Sequence, residues 1–211
     1  MKEESLFSLA NQNENTPLAD RVRPQNLDDF VGQENLIGHG KILRDLIEKD
    51  RVPSLILWGP PGTGKTTLAE IIAKRTKAHF ITFSAVTSSI KDIRKIMEEA
   101  EQNRQFGERT IVFIDEIHRF NKAQRDAFLP FVEQGSITLI GATIENPSFE
   151  VNSALLSRAK VFVLHSLKVD DIVLLLKRTF KNPNGFPDLN VKVSDEALKQ
   201  IAVFGNGDCA Q

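Results

Sequence analysis

A glycine-rich segment at residues 59–66, GPPGTGKT, points most directly to chemistry. It matches the pattern G-x-x-x-x-G-K-[ST], in which glycines let backbone N–H groups turn inward around phosphate oxygens. The alternative is a glycine-rich turn that fits this pattern by chance. An apolar run precedes the segment and a helix-forming run follows it, which is the context that a phosphate loop requires. We therefore expect Lys65 to reach the β- and γ-phosphates of a nucleotide and the Thr66 hydroxyl to ligate Mg²⁺.

The expected nucleotide contacts extend over the whole loop and one residue beyond it. They comprise Gly59, Pro60, Pro61, Gly62, Thr63, Gly64, Lys65, Thr66 and Thr67. The N-terminus of the following helix would present its positive end to the same phosphates. ATP with Mg²⁺ is the cofactor that this pattern predicts.

Two adjacent carboxylates, Asp115 and Glu116, end the apolar run at residues 110–114. Successive side chains along a strand point in opposite directions, so the two acids cannot do the same work. We expect Asp115 to hold the metal and Glu116 to polarise the water that attacks the γ-phosphate. The alternative is a solvated strand end with two surface acids. Downstream of a phosphate loop, this pair predicts a hydrolase.

Strand-like and helix-like segments alternate along the chain, as crossover connections between parallel strands require. Five β-rich runs lie at 54–58, 80–84, 110–115, 137–143 and 161–164, and helical spacing appears at 68–77, 90–102 and 124–132. Two further helical stretches, 169–180 and 194–204, follow the last run. We predict an α/β fold with a parallel five-stranded sheet flanked by helices, followed by the start of a small helical subdomain.

Composition places few limits on function. The formal net charge of -1 supplies no overall positive field, so it neither supports nor excludes binding to DNA. The single cysteine, Cys209, cannot form an internal disulfide, and we see neither a signal peptide nor an apolar run of membrane-spanning length. The four histidines lack the spacing of a metal site, so no metal except Mg²⁺ is predicted. A cytoplasmic protein without membrane contact is expected.

Four stretches together resemble the AAA+ clamp-loader group of P-loop ATPases. They are GPPGTGKT at 59–66, FIDEIHRF at 113–120, LIGATIENPSFEVNSALLSR at 139–158 and PLADRVRPQNLDDFVGQENLIG at 17–38. Within that group they are similar to the replication-associated recombination protein A family, which includes the Werner-helicase-interacting ATPases. The resemblance covers residues 17–208. It implies an AAA+ nucleotide-binding core at 17–166 and a partial helical lid at 167–211, while the polar composition of residues 1–16 predicts a flexible tail.

The resemblance also assigns roles to individual residues. Phe30, Val31, Gly32 and Gln33 are similar to the stretch that packs on the adenine, so Val31 and Gly32 are expected to bind the cofactor. Either Thr143 or Asn146 would serve as the sensor that orients the lytic water. The family places a second sensor arginine just beyond a pair like Gly207-Asp208, where this sequence has Cys209-Ala210-Gln211.

Arg158 resembles the arginine finger that one subunit offers to the nucleotide of its neighbour. Such a residue offsets the charge that develops on the γ-phosphate, and it would make a monomer a poor catalyst. The alternative is a surface arginine that caps a helix at 153–157. If Arg158 is a finger, the protein acts as a homo-oligomer.

The resemblance implies a DNA-dependent ATPase that acts in replication-fork maintenance, recombination and DNA repair, on forked or single-stranded DNA near the nucleoid. A single-strand-binding protein or a sliding clamp is a further expected partner, with Leu6 and Phe7 as one short apolar anchor. Lys91, Arg94 and Lys95 could contact phosphates, but an ordinary solvated face fits them equally well. A nucleotide-switched scaffold with little turnover is the alternative function. A small-molecule kinase is disfavoured because no acceptor pocket or phosphate-clamping lid is evident.

Overall fold

Five parallel strands form one sheet in the computed structural model of the protein, which describes residues 16–84, 89–186, 193–205 and 207. The strands are β1 (Leu55–Trp58), β2 (His79–Ser84), β3 (Thr110–Asp115), β4 (Thr138–Thr143) and β5 (Lys160–Val163). Their spatial order is β2-β3-β4-β1-β5, and all neighbours are parallel. The predicted five-stranded parallel sheet is confirmed.

Helices precede, connect and follow the strands. They are α1 (Leu18–Arg21), α2 (Glu34–Ile37), α3 (Ile42–Glu48), α4 (Lys65–Thr76), α5 (Ile90–Gln105), α6 (Lys122–Glu133), α7 (Pro147–Glu150), α8 (Ser153–Leu156), α9 (Val169–Lys181) and α10 (Asp195–Phe204), with a 3-10 turn at Ile117–Arg119. The predicted helices are confirmed, with ends that differ by a few residues. Within the described ranges, none of these helices is both long and apolar enough to cross a bilayer.

Successive side chains of β1 pack alternately into two hydrophobic cores, one on each face of the sheet. Leu55 and Leu57 pack with Leu68 of α4 on one face, while Ile56 packs with Phe128 of α6 on the other. All five side chains are essentially inaccessible to solvent. A strand with both faces covered explains why its sequence is continuously apolar instead of alternating.

Helix α4 begins at Lys65, three residues before the first residue of its apolar stripe, Leu68. The first turn carries polar side chains, so hydrophobic periodicity alone could not locate this start. As a result, the N-terminus of α4 directly follows the glycine-rich loop.

Helices α9 and α10 have a small core of their own. It consists of Leu167, Ile172, Val173, Leu198 and Ala202. The Ser194 hydroxyl accepts a hydrogen bond from the Ala197 N–H at 3.2 Å, which caps α10. Two helices with a core of their own thus follow β5, where a small helical subdomain was predicted. The predicted apolar anchor, Leu6 and Phe7, and the second-sensor region at Asp208 and Cys209 lie outside the described residues.

Candidate active site

The carboxyl ends of β1, β3 and β4 meet at one edge of the sheet. Because β4 lies between β1 and β3, the last residues of all three strands are neighbours. Trp58 is in register with Thr143, whose carbonyl accepts a hydrogen bond from the Gly59 N–H at 3.1 Å. Ligands of open parallel sheets bind outside the carboxyl ends of the strands, so this edge is where a site is expected.

A cavity of about 390 Å³ lies at this edge. It is lined by Ala19, Val22, Arg23, Pro24, Pro61, Gly62, Thr63, Gly64, Lys65, Thr66, Thr67, Asp115, Glu116, Ile144, Leu175 and Thr179. The volume falls in the range of about 300–1,000 Å³ that is usual for ligand pockets. Most of the predicted loop residues and both predicted acids therefore face one space.

Backbone conformation explains the glycines of the loop. Gly62 and Gly64 have φ values of 68° and 89°, in the left-handed region that favours glycine. A Cβ atom at Gly64 would lie 2.5 Å from Cζ of Phe30. A Cβ atom at Gly59 would lie 2.4 Å from the carbonyl oxygen of Leu164. The loop therefore packs too closely against its surroundings to carry side chains at these positions.

Gly64→Ala tests whether this packing matters for nucleotide binding. The added methyl group meets Phe30 on a left-handed backbone, so we expect a loss of about 1–3 kcal/mol of unfolding free energy. We also expect the Kd for ATP to rise at least about tenfold, which corresponds to a loss of about 1.4 kcal/mol of binding free energy. Denaturant unfolding and titration with a fluorescent ATP analogue measure the two effects.

Gly40→Ala is the matched control for that substitution. Gly40 also has a positive φ, 74°, but no atom lies within 4 Å of an added Cβ. We expect Gly40→Ala to lose unfolding free energy because of the strained backbone, while its affinity for ATP stays that of the parent protein. Equal ATP affinity in the two variants would contradict a role for the loop packing.

Lys65 is held inside the loop by backbone carbonyls. Its Nζ atom donates hydrogen bonds to the carbonyls of Gly59 and Pro60 at 2.8 and 2.7 Å, and the residue is 9% exposed. The hydroxyl of Thr63 also donates to the Pro60 carbonyl, at 2.9 Å. Gly59 and Pro60 do not line the cavity, but their carbonyls hold the Lys65 ammonium and the Thr63 hydroxyl, which belong to residues that do. The Thr67 hydroxyl, also predicted to contact the nucleotide, accepts a hydrogen bond from Arg23 at 3.2 Å.

The two acids at the end of β3 have different environments. Asp115 is exposed, and its Oδ1 atom accepts a hydrogen bond from the Glu116 N–H at 3.0 Å. Glu116 has a left-handed backbone, with φ 50° and ψ 49°. Its Oε2 atom is buried and has no hydrogen-bond partner among the described residues. A buried carboxylate oxygen without a donor is costly, which is typical of a group reserved for a ligand or a water molecule.

The structure gives the two sensor candidates different surroundings. Thr143 is fully buried at the end of β4, and its hydroxyl oxygen lies 2.9 Å from Nδ1 of His118. The side-chain oxygen of Asn146 accepts a hydrogen bond from the Ser148 N–H at 3.0 Å. Asn146 therefore caps α7, whereas Thr143 lies within the group of polar residues behind the acids.

Arg158 is engaged within its own chain. One guanidinium nitrogen donates to the carbonyl of Ala154 at 2.7 Å and to the hydroxyl of Ser157 at 2.9 Å. The other lies 2.8 Å from a carboxylate oxygen of Glu133. The side chain is 40% exposed and does not line the cavity. It thus caps α8, as the alternative interpretation requires, while remaining accessible to another molecule.

The segment before β1 closes the cavity together with α9. Val31 and Gly32 are not part of the cavity lining; Val31 is buried, and a Cβ at Gly32 would lie 2.5 Å from Leu167. The Gln33 amide donates to the His165 carbonyl at 2.6 Å and accepts from the His165 N–H at 3.0 Å. The stretch predicted to bind the base therefore packs against residues 165–167, which connect β5 to α9, and does not itself line this cavity.

Sequence reasoning missed several residues of this site. Leu175 and Thr179 of α9 and Ala19 of α1 form part of its less polar wall. Helical spacing identifies the face of α9 that is buried, but not the element that it meets. The sequence assigns no role in the site to His118, which lies two residues after Glu116.

Comparisons with known proteins identify the family. Residues 55–167 match the model of the ATPase family associated with various cellular activities (AAA). Replication-associated recombination protein A of Escherichia coli K12 is 53% identical over 193 residues, which are 91% of this chain and 43% of that protein. The ATPase WRNIP1 of Dictyostelium discoideum is 46% identical over 91% of this chain and 22% of that protein. This chain therefore spans less than half the length of these relatives.

A solved structure gives the same result for the fold. RuvB, the Holliday junction branch migration motor of Thermotoga maritima, superposes with a TM-score of 0.73 and 31% identity, covering 90% of this chain and 62% of that one. The expected resemblance to the replication-associated recombination protein A family is thus confirmed over nearly the whole chain. On this evidence the chain belongs to the AAA family of ATPases.

Proposed function

We propose that this chain hydrolyses ATP with Mg²⁺ in a homo-oligomer that acts on DNA during replication-associated recombination and repair. The observation that carries the proposal is the convergence of the phosphate loop and both acids on one cavity, with the buried oxygen of Glu116 making no hydrogen bond in the described structure. A non-enzymatic nucleotide switch would have no need for such a costly carboxylate.

The loop residues suit a triphosphate. Left-handed Gly62 and Gly64 let N–H groups face an anion, and α4 begins at the next residue, Lys65. The Lys65 ammonium would exchange its carbonyl contacts for phosphate oxygens. Thr66 and Asp115, which line the same cavity, are the oxygen ligands proposed for Mg²⁺. The metal would offset the negative charge of the phosphates.

Glu116 and Thr143 are proposed to prepare the lytic water. Glu116 accepts its proton as general base, which requires the carboxylate to be ionised and aimed into the cavity. Thr143 suits the sensor role better than Asn146, because its hydroxyl lies beside His118, which is also 3.3 Å from Glu116, whereas the oxygen of Asn146 caps α7. Val31 and Gly32 would act at the adenine end of the site. There, together with Gln33, they would hold residues 165–167 in place.

Arg158 is proposed to act on the site of a neighbouring subunit. Its side chain lies off the cavity of its own chain and pairs with Glu133 at the surface. A surface pair of this kind contributes little free energy, so a γ-phosphate presented by a neighbour could compete for the guanidinium. Hydrolysis would then depend on assembly.

DNA is proposed as the macromolecular substrate because the relatives are named for recombination and RuvB for Holliday junctions. Forked or single-stranded DNA, a cytoplasmic location at the nucleoid, and a single-strand-binding protein or sliding clamp as partner belong to the same proposal. Helices α9 and α10 would serve as the lid of the nucleotide-binding core.

The test is the ATPase rate measured against protein concentration, with and without forked or single-stranded DNA. We expect the specific activity to rise with concentration and to increase further with DNA, since each site needs an arginine from a neighbour. A rate per subunit that is independent of concentration would contradict the shared site. ATP binding without turnover under any condition would favour the nucleotide-switched scaffold.

A further inference from the structure

His118 lies in the short 3-10 turn that follows the acid pair, and packing fixes this turn on the sheet. Ile117 is buried, and its Cδ1 atom would lie only 2.7 Å from a Cβ atom added to Gly141 of β4. The left-handed backbone of Glu116 starts the turn. The chain therefore has little freedom to move His118 away from the end of β4.

The ring nitrogen Nδ1 of His118 lies between two oxygens of the proposed catalytic group. It is 2.9 Å from the hydroxyl oxygen of Thr143 and 3.3 Å from Oε2 of Glu116. The first distance is a good hydrogen bond, whereas the second pair is not aligned as one. Nδ1 of His118 is thus close to both the proposed general base, Glu116, and the proposed sensor, Thr143, but it forms a hydrogen bond only with Thr143.

The Thr143 hydroxyl has three polar neighbours, and these bear on the tautomer of His118. The Thr143 hydroxyl oxygen accepts a hydrogen bond from the Glu145 N–H at 3.0 Å, and its own proton can go to the Glu145 carbonyl at 3.3 Å. A hydroxyl has one proton and two lone pairs, so the remaining lone pair faces His118. A lone pair on Nδ1 would also repel the nearby Glu116 carboxylate. We therefore assign the donor role to Nδ1, because this tautomer satisfies all three contacts of the Thr143 hydroxyl.

We propose that His118 is a positioning residue whose Nδ1–H group changes its hydrogen-bond acceptor. It donates to Thr143 in this structure and to Glu116 when the Thr143 hydroxyl turns to the lytic water. The donated bond would then hold Glu116 in the orientation needed to accept the proton of that water. This inference rests on the proposed role of Glu116 as general base. It adds a link through which the sensor controls the base.

Three substitutions at His118, made in the intact protein, test the link. Asparagine places an N–H where Nδ1 lies, glutamine reaches only as far as Nε2, and alanine has no donor. We expect His118→Ala and His118→Gln to lower kcat by about 10- to 100-fold, because a misplaced reacting group costs up to about 10²-fold. We expect His118→Asn to restore most of that loss, with the Kd for Mg·ATP unchanged in all three.

His79→Ala is the matched control. His79 also pairs with a glutamate, Glu108, at 2.9 Å, but it lies at the start of β2, at the opposite end of the sheet, and is exposed. This variant should turn over ATP like the parent protein. In a Glu116→Gln background, His118→Ala should cause no further loss, because its effect passes through Glu116.

Two results would overturn the inference. One is a kcat for His118→Ala equal to that of the parent while Glu116→Gln abolishes turnover, which leaves the proposed function intact. The other is an equal loss in the alanine, glutamine and asparagine variants together with weaker ATP binding, which indicates a purely structural role. If Glu116→Gln itself turned over normally, the proposed role of Glu116 would fail instead.

Discussion

Glu116→Gln is expected to lower kcat for ATP by about 10²- to 10⁴-fold, the range that general acid–base catalysis usually contributes. Glutamine has nearly the same shape but cannot accept the proton of the attacking water. The Kd for Mg·ATP should remain that of the parent protein, because the loop and the metal ligands are untouched. Single-turnover hydrolysis and equilibrium titration with labelled ATP separate the two quantities.

Glu98→Gln is a suitable control for that experiment. Glu98 is exposed on α5, away from the cavity lining, and its substitution removes the same charge. It should hydrolyse ATP at the parent rate. The proposed mechanism is wrong if Glu116→Gln retains the parent kcat under conditions in which Glu98→Gln also does.

Arg158→Ala is expected to lose about 10³-fold or more of the assembly-dependent turnover, which is what an arginine finger contributes in P-loop enzymes. ATP binding should be unaffected, because the side chain lies off the cavity of its own chain. The variant should also hydrolyse ATP no faster as its concentration rises. Turnover measured over a concentration series checks both expectations.

A mixing experiment makes this prediction more specific. Subunits with Arg158→Ala keep Glu116, and subunits with Glu116→Gln keep Arg158. Where the two kinds are neighbours, one complete site forms, so the inactive proteins should regain activity when they are mixed. Arg104→Ala is the control for loss of a surface arginine, since in the described contacts the Arg104 side chain pairs only with Glu101 on α5. It should hydrolyse ATP like the parent protein. Unchanged turnover in Arg158→Ala would contradict the finger.

How far the sequence determines the site can be judged from particular residues. The loop could be predicted because its glycines and Lys65 occupy fixed spacings, and the acids because they end a continuously apolar strand. The choice between Thr143 and Asn146 could not be made, since it depends on which oxygen caps a helix. His118 was missed because its neighbours are set by the left-handed turn at Glu116, and spacing does not reveal backbone handedness.

The outer wall of the cavity could not be predicted from the sequence either. Leu175 and Thr179 have the spacing of any buried helical face. Their contact with the cavity depends on how α9 is placed after β5. That placement depends on long-range hydrogen bonds, such as the one from Arg178 to the Asp29 carbonyl at 2.7 Å. Contacts between residues so far apart in sequence leave no local pattern.

The paired amide bonds between Gln33 and His165 have a mechanical consequence. They tie the segment before β1 to the short linker that leads from β5 into α9, and the Arg178 bond ties the same segment to α9 itself. Tilting α9 would therefore break the Arg178 bond, at about 1 kcal/mol, or drag Asp29 and the residues next to it along. Because Phe30 packs against Gly64, such a drag would pull on the phosphate loop, so the angle of α9 and the shape of the loop would change together.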